Sequence, residues 1–88
     1  MKLEFRKSFL DDLKRIQDRT VLQRVTHLIE TLEQTGTLAD VAHLKKLKGG
    51  GNHYRVRIGD YRLGLSVVDD VVCLVRFLGR KDIYKYFP

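Results

Sequence analysis

Eighty-eight residues, 43% of them apolar and none in a run long enough to cross a bilayer, describe one small globular domain over residues 1–88 and exclude a disordered tail or a membrane span. A single cysteine, Cys73, excludes an internal disulfide and, with no signal-peptide pattern, predicts a soluble protein of the reducing cytoplasm. The net charge of +6 is unevenly held: residues 1–43 are balanced, whereas Lys45, Lys46, Lys48, Arg55, Arg57 and Arg62 face only Asp60, and Arg76, Arg80, Lys81 and Lys85 face only Asp82, a clustering suited to nucleic acid or an acidic protein partner.

Residues 2–6 alternate and predict a short strand. Ser8, with Asp11 three residues on, predicts a helix start, and Phe9, Leu10, Leu13 and Ile16 share one helical face. Thr20 and Gln23 repeat the capping pattern before a stripe of Val21, Leu22, Val25, Leu28, Ile29 and Leu32, which Gly36 is placed to end. The two helices form an antiparallel pair whose apolar stripes need a sheet to cover them. Residues 37–52 read as a connection, helical in character over Leu38–Leu44 and flexible over 49–52. The glycines there are not a phosphate loop, since no Gly-Lys-Ser or Gly-Lys-Thr follows and the next element is a strand.

Tyr54 to Leu63 alternate apolar and charged residues on both sides of Gly59-Asp60, the pattern of a tight β-hairpin. Tyr54, Val56, Ile58, Tyr61 and Leu63 share one face; Arg55, Arg57 and Arg62 share the other. A two-residue turn sets Arg57 directly across from Arg62, an unfavourable like-charge pair. Bound phosphate would relieve it, because guanidinium matches phosphate oxygens bidentately. Gly64 falls opposite Arg55, leaving room for a ligand or for the guanidinium. Asp69-Asp70 turns the chain into a third strand, Val71–Phe77. A plain two-residue turn there would put Arg76 on the apolar face, so a longer turn, a bulge or an Arg76 at the sheet margin is expected. Residues 80–87 form a basic, aromatic tail. The order β-α-α-β-β-β predicts an α+β domain, with two helices on one face of a small, mainly antiparallel sheet and the arginine face open.

No metal site or cofactor motif stands out: His27, His43 and His53 are isolated, and no HxH, HExxH or CxxC occurs. Serine and cysteine nucleophile motifs are also absent. Metal-free cleavage of RNA stays open, with the ribose 2′-oxygen as nucleophile. Arg55, Arg57, Arg62 and Arg80 would form a cationic wall that stabilises the developing charge. Tyr84 would stack on a base or move a proton. Lys45, Lys46, Lys48, His53 and Lys81 would hold the RNA backbone. Arginine cannot take a proton near neutral pH, so His53, Lys81 and Tyr84 are the candidates for that step.

Three segments carry a family resemblance: Lys45 to Gly49, Tyr54 to Leu63, and Gly79-Arg80-Lys81-Asp82-Ile83-Tyr84. Together they resemble the RelE/ParE superfamily of bacterial toxins, closest to the RelE branch, over almost the whole chain. The resemblance implies the toxin of a type II toxin–antitoxin pair, with a cognate antitoxin as partner. RelE-like members enter the ribosomal A site and cut the mRNA codon there, using the 2′-hydroxyl. By motif, the family's functional positions fall on Arg55, Arg57, Arg62, Arg80 and Tyr84. This chain has arginine at 55 and 57 where some active relatives have lysine, and Gly79 where many have histidine. Two other readings follow from the same superfamily: a ParE-like poison of DNA gyrase, and a degenerate toxin that only binds its antitoxin.

Overall fold

The computed structural model of the protein describes residues 1–49 and 51–88; Gly50, within the stretch predicted to be flexible, lies outside them. In chain order the elements are β1 (Lys2–Phe5), α1 (Lys7–Lys14), α2 (Arg19–Gln34), a 3-10 turn (Leu38–Asp40), β2 (Leu44–Lys46), β3 (His53–Ile58), β4 (Tyr61–Val68), β5 (Val71–Gly79) and α3 (Arg80–Tyr86). The sheet order is β1-β5-β4-β3-β2, antiparallel throughout except that β1 runs parallel to β5.

Helices α1 and α2 cover one face. Phe9, Val25 and Leu32 pack against Val56, Leu63, Leu65, Leu74 and Phe77, all buried. Full burial of one such side chain contributes about 1.5–3 kcal/mol. Leu10, expected on the same stripe, stays 44% exposed. The caps differ in detail from expectation. Helix α2 starts at Asp18, whose Oδ1 accepts from the Thr20 and Val21 amides, and it ends at Thr35, one residue before Gly36. Helix α1 begins after Arg6 with no side-chain cap.

Ser8 has another task. Strand β1 covers the β5 edge only as far as the pair Phe5–Leu74. Beyond it, α1 takes over: the Ser8 hydroxyl donates to the Val75 carbonyl at 2.6 Å, and the Phe77 amide donates to Asp12 Oδ2 at 2.9 Å. Those two side chains satisfy backbone groups that a missing strand would otherwise leave bare. Asp12 is buried and also takes Nε and Nη2 of Arg76, at 2.8 and 3.1 Å. Hydrogen bonding to Asp12 pushes the Arg76 guanidinium further above its ordinary range.

The first hairpin has the predicted register, with Arg57 opposite Arg62 and Gly64 opposite Arg55. Gly59 takes φ +58, the left-handed turn geometry that glycine adopts without cost. The second turn is two residues, since Val68 pairs with Val71, and a bulge follows. Gly64 pairs with Arg76 but Leu65 pairs with Leu74, so Val75 is the extra residue. That insertion moves Arg76 off the core face and lets it reach round the margin to Asp12.

Two elements were not predicted. Leu44–Lys46 is a strand, β2, rather than the end of a helical stretch. The tail is a helix, α3, which lays buried Ile83 and Phe87 on the face expected to be open. Phe87 occupies the space over Gly64: a β-carbon there would lie 2.7 Å from the ring. The arginine face is therefore half covered, and the ligand room expected at Gly64 is filled.

Candidate nucleic-acid interface

The pleat of β3 sends His53, Arg55 and Arg57 to the α3 side of the sheet. Strand β4 adds Arg62 beside Arg57, and β2 adds Lys45 beside Arg55. Helix α3 brings Tyr84 over them, with the Arg55 guanidinium 4.5 Å from the centre of its ring. Lys45, Arg55, Arg57, Arg62 and Tyr84, with His43 and Leu44, line a pocket of about 330 Å³. A second hollow of about 370 Å³ adjoins it, lined by Lys45, Leu47, Lys48, Arg55, Tyr84, Phe87 and Pro88. Lys45 and the stacked Arg55–Tyr84 pair border both.

The facing arginines are kept apart by local partners. Arg62 folds back, donating from Nη1 to the carbonyls of Gly59 and Tyr61, both at 2.9 Å. Arg57 turns the other way, its Nη2 lying 3.1 Å from His43 Nδ1. Among the described residues neither guanidinium meets a carboxylate, so both are available to an anion. Tyr84 is 69% exposed and presents a ring face and a hydroxyl. The assembly can bind a phosphodiester, stack a base and stabilise added negative charge.

The other sequence candidates are placed differently. The Arg80 amide donates to the Asp60 carbonyl at 2.9 Å, tying the start of α3 to the hairpin turn, but its exposed side chain lines neither hollow. Lys81 is exposed on α3 and lines neither. Lys46 pairs with Tyr54, which puts it on the opposite face from Lys45. His53 is on the arginine face, yet its ring packs edge-on against Phe87 at 5.6 Å. Lys48 belongs to the second hollow only. The site gains one residue that the sequence reading left out, His43. It sits in the turn just before β2, at φ +63, where strand alternation does not apply, so the sequence carried no cue for it.

A third hollow, about 340 Å³, lies between α2 and β3 and is bordered by Arg24, His27, Leu28, Val41, Val56 and Ile58 among others. Among the described residues no helix is long and apolar enough to cross a membrane.

Comparison with known proteins agrees with this architecture. Residues 3–84 match the family described as ParE toxin of type II toxin–antitoxin system, parDE. The chain is 40% identical to Toxin RelE3 of Methanocaldococcus jannaschii, over the full length of both. The solved RelB–RelE antitoxin–toxin complex from Methanococcus jannaschii contains a chain that superposes with a TM-score of 0.84 at 38% identity, covering 96% of this chain and 98% of that one. The archaeal RelE–RelB complex from Pyrococcus horikoshii gives 0.73 at 25% identity, covering 90% and 93%. The fold, the family match and the near full-length identity agree, and the chain belongs to the RelE/ParE superfamily, as a RelE-like toxin of a toxin–antitoxin system.

Proposed function

We propose that this toxin is a ribosome-dependent mRNA endoribonuclease that cleaves A-site codons by attack of the ribose 2′-hydroxyl, without a metal, and so stops translation. The observation that carries the reading is the convergence of Lys45, Arg55, Arg57, Arg62 and Tyr84 on one solvent-open pocket. Cationic donors fixed before the reaction stabilise the charge that gathers on phosphorus oxygens. Arg55, Arg57 and Arg62 grip the scissile phosphate and Tyr84 holds a neighbouring base. Arg80, Lys48 and Lys81 contribute positive field at the rim, and Lys46 and His53 stand further from the reacting phosphate.

The isolated protein should cut free RNA poorly. Holding a 2′-oxygen in line with the phosphorus contributes up to about 7–11 kcal/mol in favourable cases, and a ribosome presenting a codon supplies that alignment. The partner in the resting cell is a cognate antitoxin. Two relatives were crystallised with RelB, and an acidic or amphipathic segment suits the basic face of this chain.

The test is to map transcript ends after brief induction and to incubate purified toxin with mRNA on and off ribosomes. New ends inside coding regions, dependent on the ribosome, support the reading. The rival is a gyrase poison, favoured by the family description that names ParE. Intact ribosome-bound mRNA together with gyrase trapped on cleaved DNA would decide for that rival.

A further inference from the structure

We propose that His43 is the proton acceptor for the 2′-hydroxyl, and that Arg57 masks its accepting nitrogen until a phosphate draws the guanidinium away. The inference rests on the ribonuclease reading and deepens it.

The first step is elimination within the pocket. Its lining is His43, Leu44, Lys45, Arg55, Arg57, Arg62 and Tyr84. Arginine and lysine carry only donors when charged, and leucine carries nothing. Tyrosine's hydroxyl is a weak acceptor that ordinarily loses its proton near pH 10. Imidazole is the side chain whose ordinary titration spans neutral pH. His43 is therefore the one residue of this wall suited to take a proton from a sugar hydroxyl. Of the other candidates the sequence offered, Lys81 lies outside the pocket and His53 is held against Phe87 outside it.

The second step is the tautomer. Arg57 Nη2 lies 3.1 Å from His43 Nδ1, and a guanidinium has no acceptor. Nδ1 is thus the acceptor and the neutral ring carries its hydrogen on Nε2. In this arrangement the basic lone pair is already engaged. A phosphodiester offers Arg57 a charged, bidentate partner in place of a single neutral nitrogen, a stronger bond for the guanidinium. Substrate binding and exposure of the base are then one event.

The main chain also ties His43 to Arg57. His43 sits at φ +63, in the left-handed region that few non-glycine residues occupy. Its carbonyl accepts the Arg57 amide at 3.2 Å, so the same two residues are joined by main chain and by side chain. His43 also borders the hollow between α2 and β3 that holds Arg24, His27 and Asp40.

The step balances. The 2′-oxygen gives its proton to His43 Nδ1 and bonds to phosphorus. The bond from phosphorus to the 5′-oxygen breaks, and that oxygen takes the phenol proton of Tyr84. The products are a 2′,3′-cyclic phosphate and a 5′-hydroxyl. The imidazolium returns its proton to the Tyr84 phenolate through solvent.

The experiment compares full-length wild type with His43→Asn in single-turnover cutting of ribosome-bound mRNA, beside binding of the same complex carrying a 2′-deoxy codon. Asparagine tolerates the left-handed backbone and has no basic nitrogen. The expected result is a rate at saturation lowered by about a hundredfold or more with binding retained. A saturated rate within about tenfold of wild type overturns the base role. If His43→Asn fails to fold, His43→Gly, which suits positive φ, takes its place with the same expectation.

Long-range nitrogen–proton NMR of the imidazole reads the mask separately. In wild type the Nδ1 signal should move when inorganic phosphate is added, and Arg57→Ala should show the moved signal without phosphate. An Nδ1 signal indifferent to both overturns the mask. Should wild type cut nothing while Nδ1 still responds to phosphate, the ribonuclease reading and the base role fall together, and only the mask stands.

Discussion

Phe87 lies so close over Gly64 that a β-carbon at Gly64 would come within 2.8 Å of three ring carbons, including Cγ at the root of the ring. The contact joins the end of the C-terminal helix to the middle of β4, and it leaves Tyr84 over Arg55. Gly64→Ala should therefore push Phe87 and α3 away from the sheet. Overpacking of this kind costs about 1–3 kcal/mol. Urea denaturation of Gly64→Ala, Phe87→Ala and the double variant would show it as a strong coupling between the two sites, since residues in contact do not add. Additive effects would mean that α3 does not depend on this glycine.

Asp12 accepts three hydrogen bonds, two from Arg76 and one from the Phe77 amide. Asp12→Ala strands all three donors next to the bulge. Breaking a buried pair by removing one partner costs about 3–5 kcal/mol, and the lower end applies because the Arg76 side chain is 24% exposed. The midpoint in urea should fall accordingly. A variant as stable as the parent would show that water replaces the carboxylate at no cost.

Among the described residues, the Arg62 side chain is held by two carbonyls of its own turn. Arg62→Ala should remove most toxicity while changing stability by only about 0.5 kcal/mol. Arg80→Ala should also weaken the toxin, but less, because its side chain is outside both hollows. Growth after induction, scored beside circular dichroism, checks both. Full toxicity in well-folded Arg62→Ala would remove the phosphate site from the pocket.

Tyr84 contributes a ring and a hydroxyl, and two substitutions separate them. Tyr84→Phe keeps the ring stacked on Arg55 and loses the proton donor. It should bind ribosome-held mRNA as tightly as wild type and cut it about a hundredfold more slowly. Tyr84→Ala should lose binding as well. Equal cutting rates for Tyr84→Phe and wild type would leave the tyrosine with stacking alone.

Much of this arrangement was legible in the chain. Alternation on both sides of Gly59-Asp60 gives the hairpin, its register and the arginine pair, because a two-residue turn leaves one pairing only. The misplacement expected of Arg76 forced a choice among irregularities, and the bulge is one of them. Strand β2 was hidden because three residues, Leu44–Lys46, form a strand only by pairing with β3. Nothing local distinguishes them from a lysine-rich loop. With β2 hidden, His43 had no face and no neighbours. Helix α3 was hidden by its charge: only Ile83 and Phe87, four residues apart, mark an apolar side. The lysines at 46 and 81 show the limit of counting charge, since net charge locates a basic region and pleat and helical turn decide which cations reach the pocket.

The pocket draws its walls from His43, Lys45, Arg55, Arg57, Arg62 and Tyr84, and so from β2, β3, β4 and α3. The strand that opens the chain, β1, has to wait for β5 before it can pair at all. Assembly is thus dominated by contacts between distant stretches, which are late to form. During synthesis, the cationic hairpin emerges well before the residue that stacks on it. Until α3 docks, Arg55 has no tyrosine stacked on it. The pocket is therefore complete only when α3 has docked on the sheet.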